Sequence, residues 1–110
     1  MNVAALDELI EHLQDLLQEA LPENIAFFYI DCDRLQSALV LCDRIERGLR
    51  DTDPGSYAAG KIAGSLRPAI KACMKSYANP DNVAAVNWAL IEFEGAWWTT
   101  RRWRLDKEQS

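Results

Sequence analysis

Little in this chain points to chemistry. It has one histidine, three cysteines and no Cys-x-x-Cys pair in 110 residues. An odd cysteine count without paired spacing argues against both a disulfide framework and a zinc site. Cys32, Cys42 and Cys73 each fall in an apolar pattern, where a thiol behaves as a small hydrophobe. A lone His12 among acids and amides offers no partner for a nucleophile, so no catalytic constellation can be assembled. No apolar run approaches the roughly 18 residues that would suggest a membrane span. The first residues carry no basic segment and turn acidic at Asp7-Glu8, unlike a secretory leader. These absences predict a soluble cytoplasmic protein that is not an enzyme and needs no cofactor and no metal.

Hydrophobic residues make up 49% of the chain, a normal globular share that excludes wholesale disorder. The expectation is one domain over residues 1–105, with 106–110 as a frayed C-terminal tail. The net charge of −5 hides an asymmetry. Residues 1–54 hold twelve acids and four arginines, a balance of −8, whereas residues 55–110 hold five acids and eight bases, a balance of +3. Such a division marks a candidate polar interaction surface.

Apolar residues recur at three- and four-residue steps almost throughout, which predicts an all-α fold, a four- or five-helix bundle with one long central helix. The first helix runs from Asn2, a suitable N-cap, to Ala20. The second is expected to be the longest, from Glu23 to Arg50, with a heptad-like seam through Ile25, Phe28, Cys32, Leu35, Leu39 and Cys42. Residues Ile25 to Ile30 have strand-like composition, so an extended segment there is the alternative. Asp53-Pro54 can start a third helix ending near Leu66, and its Ala58, Ala59, Gly60, Ala63 and Gly64 offer a small-residue face. Pro68 should break or kink the chain, with Ser65 capping a short fourth helix to Tyr77. Asn79-Pro80-Asp81 starts a last helix, expected to reach Arg102, whose stripe is Val83, Val86, Leu90, Phe93 and Trp97. Leu13, Leu35, Leu39, Leu90 and Phe93 are the expected core.

Two motif-like stretches invite chemistry. Gly55 to Lys61 matches most of the phosphate-loop spacing, but a charged turn replaces the buried strand before it and Ile62 replaces the magnesium-binding hydroxyl. Asp31 and Asp33 would point the same way on a strand, an arrangement suited to magnesium. Over about ten residues, Tyr29-Ile30-Asp31-Cys32-Asp33 locally resembles the metal-binding strand of translesion DNA polymerases. The whole chain is far too short for that catalytic domain. On a helix the two carboxylates diverge by about 200° and form a solvated acidic turn.

Two surfaces remain. Residues 96–104 hold three of the four tryptophans and three arginines. Either the tryptophans close the end of the bundle with the arginines laid over them, or Trp98, Arg101, Arg102 and Trp103, of types enriched in such sites, form a binding hot spot. The first half supplies Asp7, Glu8, Glu11, Asp15, Glu19, Glu23, Asp31 and Asp33. The reading favoured is a non-catalytic protein-binding module that engages a basic partner protein through its acids. An inhibitor of the immunity-protein, antitoxin or phage-encoded kind would act so. The alternative is a nucleic-acid-binding or regulatory module using the Arg/Trp cluster with Lys61, Arg67, Lys71 and Lys75. A second apolar flank on helix two (Phe27, Ile30, Leu41) is expected to allow a homodimer, and no membrane contact is expected.

Overall fold

Side chains that accept backbone amides set where these helices begin. A computed structural model describes residues 1–21, 30–51, 55–75 and 79–109. Helix α1 spans Val3–Ala20, and the Asn2 side chain accepts the amide of Ala5 at 2.9 Å. Helix α2 spans Cys32–Arg50, with the Asp31 side chain accepting the amide of Arg34 at 3.1 Å. Helix α3 covers Ser56–Lys61, a π-helical turn covers Ile62–Leu66, and α4 covers Arg67–Lys75. Helix α5 spans Pro80–Gln109, opened by Asn79, whose side chain accepts the amide of Asp81 at 2.9 Å. Pro80 at the first helical position loses no hydrogen bond there.

Most of the described residues are helical and form four rods, a bundle as the 3-4 patterning predicts. The rods run alternately up and down. The Asp31 amide reaches the Ala20 carbonyl, so α1 and α2 form a hairpin. Arg67 reaches back to Asp43 and Glu46 on α2, and Asn82 on α5 reaches the Ala72 carbonyl. At the far end Glu108 meets Val3 and Arg104 meets Gly48. The core joins Leu6, Leu13 and Leu17 of α1 to Leu35, Ile45 and Leu49 of α2, Ile62 and Leu66, Ile70 of α4, and Val86 and Phe93 of α5. The particle measures 50 × 19 × 19 Å. That length follows from α5, whose 30 residues span about 45 Å at 1.5 Å per residue.

Several boundaries correct the sequence reading. The longest helix is the last, not the second. Helix two starts at Cys32 rather than Glu23, because Asp31 caps it with a non-helical backbone and Ile30 precedes it outside any helix. Ile25 to Tyr29, and with them the extended alternative for most of that segment, lie outside the described residues, as do Asp53-Pro54, Glu23 and Phe27. Ile30 and Leu41 are buried, so that flank of helix two is covered rather than offered to a second copy. Leu39 and Leu90 are only half-buried, at the rim of the core, while Leu13, Leu35 and Phe93 are fully enclosed. Of the small-residue face, Ala58 and Ala59 are buried, but Gly60 and Gly64 face outward with open space about them.

Pro68 does not interrupt the third rod, and Ser65 caps nothing. Proline in a helix clashes with the carbonyl four residues earlier and lacks an amide to bond it. Here the preceding turn widens, and the Arg67 amide bonds Ile62, five residues back. A π turn of this kind accommodates the proline while the helix runs on.

Helix α5 continues to Gln109, past the end at Arg102 that the sequence suggests. Glu108 accepts the Val3 amide at 2.9 Å, one of the donors that the start of α1 leaves open, and its carboxylate suits the positive end of that helix. One turn earlier, Arg104 donates to the carbonyl of Gly48 in the last turn of α2 at 3.3 Å. A cation there suits the negative end of α2. The final turns of α5 thus close two helix ends of opposite polarity.

Arg67 ties the third rod to α2 through Asp43 at 2.8 Å and through Glu46, which also takes Arg50 at 3.1 Å. Partial burial pushes the Glu46 carboxyl up. The hydrogen bonds and charges of Arg67 and Arg50 together outweigh burial and hold it below the usual carboxylate range. A depressed carboxyl stabilises the fold fully above its ordinary value of 4.5, and that contribution fades as pH falls below it through the lowered folded-state value. Urea midpoints should therefore drop between pH 6 and pH 3, and Glu46→Gln should flatten part of that slope. An unchanged slope in the variant would show that this pair contributes nothing to acid sensitivity.

Candidate functional site

The Arg/Trp cluster of α5 is taken apart by helical geometry. Successive residues are rotated by about 100°, so neighbours in sequence serve different faces. Trp97 turns inward, is 5% exposed, and donates its indole N–H to Asp7 on α1 at 3.0 Å. Arg101, one turn on, grips both oxygens of the same carboxylate, with Nε contacts of 3.1 and 3.0 Å and an Nη2 contact of 2.9 Å. Asp7 therefore clamps α1 to α5 and is occupied. Arg104 is buried at 3% exposure.

What remains outward is Trp98, Arg102 and Trp103. Trp98 and Trp103 are 67% and 66% exposed, and the Arg101 guanidinium lies 5.6 Å from the Trp98 ring centre. With Thr99 and Leu105 these residues line an open groove of about 630 Å³. Of the three arginines in the cluster, only Arg102 projects into solvent. Lys61 pairs with Glu92 at 3.8 Å and Arg67 with α2, which leaves Lys71 and Lys75 as exposed bases on α4.

The acids divide as well. Glu19 on α1 and Asp31 before α2 both bind Arg34, at 3.1 and 2.6 Å, and so pin the α1–α2 hairpin. Hydrogen bonding from the Arg34 amide, helped by its guanidinium, holds the Asp31 carboxyl below its ordinary range. Asp33 lies exposed in the first turn of α2, which leaves Asp31 and Asp33 in the helix-start arrangement and not on a strand. Among the described residues, no group of acids, histidines and cysteines could hold a metal ion. Glu8, Glu11 and Asp15 are different. All three are exposed, stand at i, i+3 and i+7 on the outer face of α1 beside the exposed His12, and form no ion pair with a described residue.

The thiols are quiet. None forms a disulfide, and Cys42 and Cys73 are buried. Burial pushes the Cys42 thiol up to about 12 and Cys73 upward too. The run Gly55–Lys61 opens α3, with no strand before it among the described residues; Lys61 there packs over the Tyr57 ring at 5.3 Å and salt-bridges Glu92.

One surface escaped the sequence reading. Trp88 and Ile91 on α5 are 67% and 57% exposed. They share an outer face with Trp98, and the signal was a second 3-4 series offset from the buried stripe. Comparison with protein-family models, with curated proteins and with solved structures finds no match for this chain. Among the described residues, no helix is long and apolar enough to cross a membrane.

Proposed function

We propose that this protein is a non-catalytic binding module whose α1 ridge engages a basic surface of another protein, in the manner of an immunity-type or phage-encoded inhibitor acting in the cytoplasm. One observation carries this reading. Glu8, Glu11 and Asp15 lie in line on one face of α1, and none is neutralised by a described residue. Like charges three and four residues apart destabilise a helix by a few tenths of a kcal/mol per pair, roughly the reverse of what an opposite pair supplies. Asp7, Glu19, Asp31, Asp43 and Glu46 are used to hold the fold. A ridge of three acids in line with no described counter-charge fits a surface whose counter-charges come from outside.

The nucleic-acid alternative draws less support. Phosphate recognition needs several free cations along one track. The Arg/Trp cluster supplies Arg102 alone, beside Trp98 and Trp103, with Glu92 and Glu94 on the same helix. Any pairing of two copies must also use a face other than the α1 ridge, since the ridge repels itself.

Reversing Glu8, Glu11 and Asp15 to Lys should leave the far-UV circular dichroism spectrum unchanged and slow association with the basic partner by about 10-fold or more, an effect that fades at high salt. The comparison is Arg102→Glu with Trp103→Ser. Loss of binding in that pair but not in the acid triple would put the contact on α5 and overturn the ridge.

A further inference from the structure

The outer side of α5 carries a complete heptad-type seam with no described helix packed across it. Ala84, Trp88, Ile91, Gly95, Trp98 and Arg102 are spaced 4, 3, 4, 3 and 4, and every one of them is exposed. This spacing keeps a strip of side chains in line along an α-helix, and such strips pack against another helix. The opposite side of α5 is already used, by Val86, Phe93 and Trp97 in the core. Apolar residues therefore cover two faces of one helix, a pattern expected of a helix buried all round. With Trp103 at its edge, the exposed face presents apolar surface on the order of 500 Å², taking roughly 250 Å² for a tryptophan. Monomers rarely expose a contiguous patch much beyond that size, and a standard interface buries about 800 Å² per partner.

We infer that this face is a two-fold interface with a second copy of the chain, in which two α5 helices cross antiparallel at Gly95. The seam itself selects the occupant. Gly95 lies at its middle, and a Cβ built there meets nothing within 4 Å, so a second backbone has room to approach. Trp88 lies seven residues before Gly95 and Arg102 seven after. An antiparallel two-fold axis at Gly95 therefore sets the Trp88 ring of one copy against the Arg102 guanidinium of the other, twice per dimer. A guanidinium on an indole face is the most favourable cation–π pair available to these residues. Charge on the helix agrees. Arg102 is the charge on the seam itself, so antiparallel pairing sets the two Arg102 side chains at opposite ends of the contact, whereas parallel pairing sets them side by side. An isologous contact needs a patch complementary to itself, and this one is. The proposal does not depend on the α1 ridge.

Sedimentation of the full chain tests it, with the 12.5 kDa monomer mass as reference. The wild type should approach twice that mass as concentration rises into the micromolar range. Trp88→Glu with Trp98→Glu should raise the dimer dissociation constant at least 100-fold while the far-UV spectrum stays helical. Orientation is read by oxidation in a Cys32→Ser background, where Cys42 and Cys73 are buried. Gly95→Cys should cross-link to itself, and a mixture of Trp88→Cys and Arg102→Cys should give mixed dimers. A chain that is monomeric to several hundred micromolar overturns the proposal. So does a dimer unaffected by the double glutamate variant, or self-cross-linking of Trp88→Cys in place of the mixed product.

Discussion

Phe93→Ala should destabilise the fold by about 3–5 kcal/mol, the range for removing a fully enclosed aromatic ring. Phe93 is completely buried, midway along α5, where the ring is enclosed by neighbouring rods that cannot collapse onto the space without moving whole helices. Leu39→Ala is the internal comparison. Leu39 is only half-buried at the rim of the core, so water can fill part of what is lost, and the cost should be about 1–2 kcal/mol. Urea titrations followed by circular dichroism measure both. Equal losses, or a loss below about 1 kcal/mol for Phe93, would mean that α5 is not packed as described.

The second large effect is at Arg104. Its stem is buried and its guanidinium donates to the Gly48 carbonyl at the end of α2. Arg104→Glu places a carboxylate in the same enclosed position, facing a carbonyl oxygen and the negative end of a helix. Each is unfavourable, and the fold should lose roughly 3–5 kcal/mol. Arg104→Met keeps most of the apolar stem and gives up the donor, so its cost should be nearer 1–2 kcal/mol. The gap between the two variants is the informative quantity. Similar values would show that the charge at this position is irrelevant and that only the stem matters.

The parts of the fold that were legible in the sequence are those with a local cause. Asn2 and Asn79-Pro80 announce helix starts because capping is decided within four residues. The buried stripes of α1 and α5 are legible because one period repeats. Helix two misled because Ile25, Phe28 and Cys32 continue the 3-4 rhythm of the helix that follows, while the stop depends on a single side chain, Asp31, closing back on the Arg34 amide. The outer seam of α5 was hidden for a different reason. Apolar residues on opposite faces cancel in any measure of sidedness, so the helix looks merely hydrophobic. The fates of Arg101 and Arg104 could not be read at all, since Asp7 and Gly48 are distant in sequence and nothing local foretells those partners. The Arg/Trp cluster divides into three parts: a clamp, a buried cap and an exposed rim. The acidic half likewise separated into acids that hold the hairpin and a ridge on α1.

The elongated shape has a consequence for how the molecule turns in solution. All four rods follow the 50 Å axis, and peptide N–H bonds lie roughly parallel to the helix they belong to. Most amides therefore point along the axis whose end-over-end reorientation is slowest. Nitrogen relaxation should report slower tumbling than a sphere of the same mass would give, uniformly along the helices. Two copies joined side by side through α5 would widen the particle without lengthening it. Tumbling would slow while its directional bias fell. An end-to-end pair would slow tumbling and sharpen the bias, so the way two copies meet is written in rotational diffusion before any interface residue is changed.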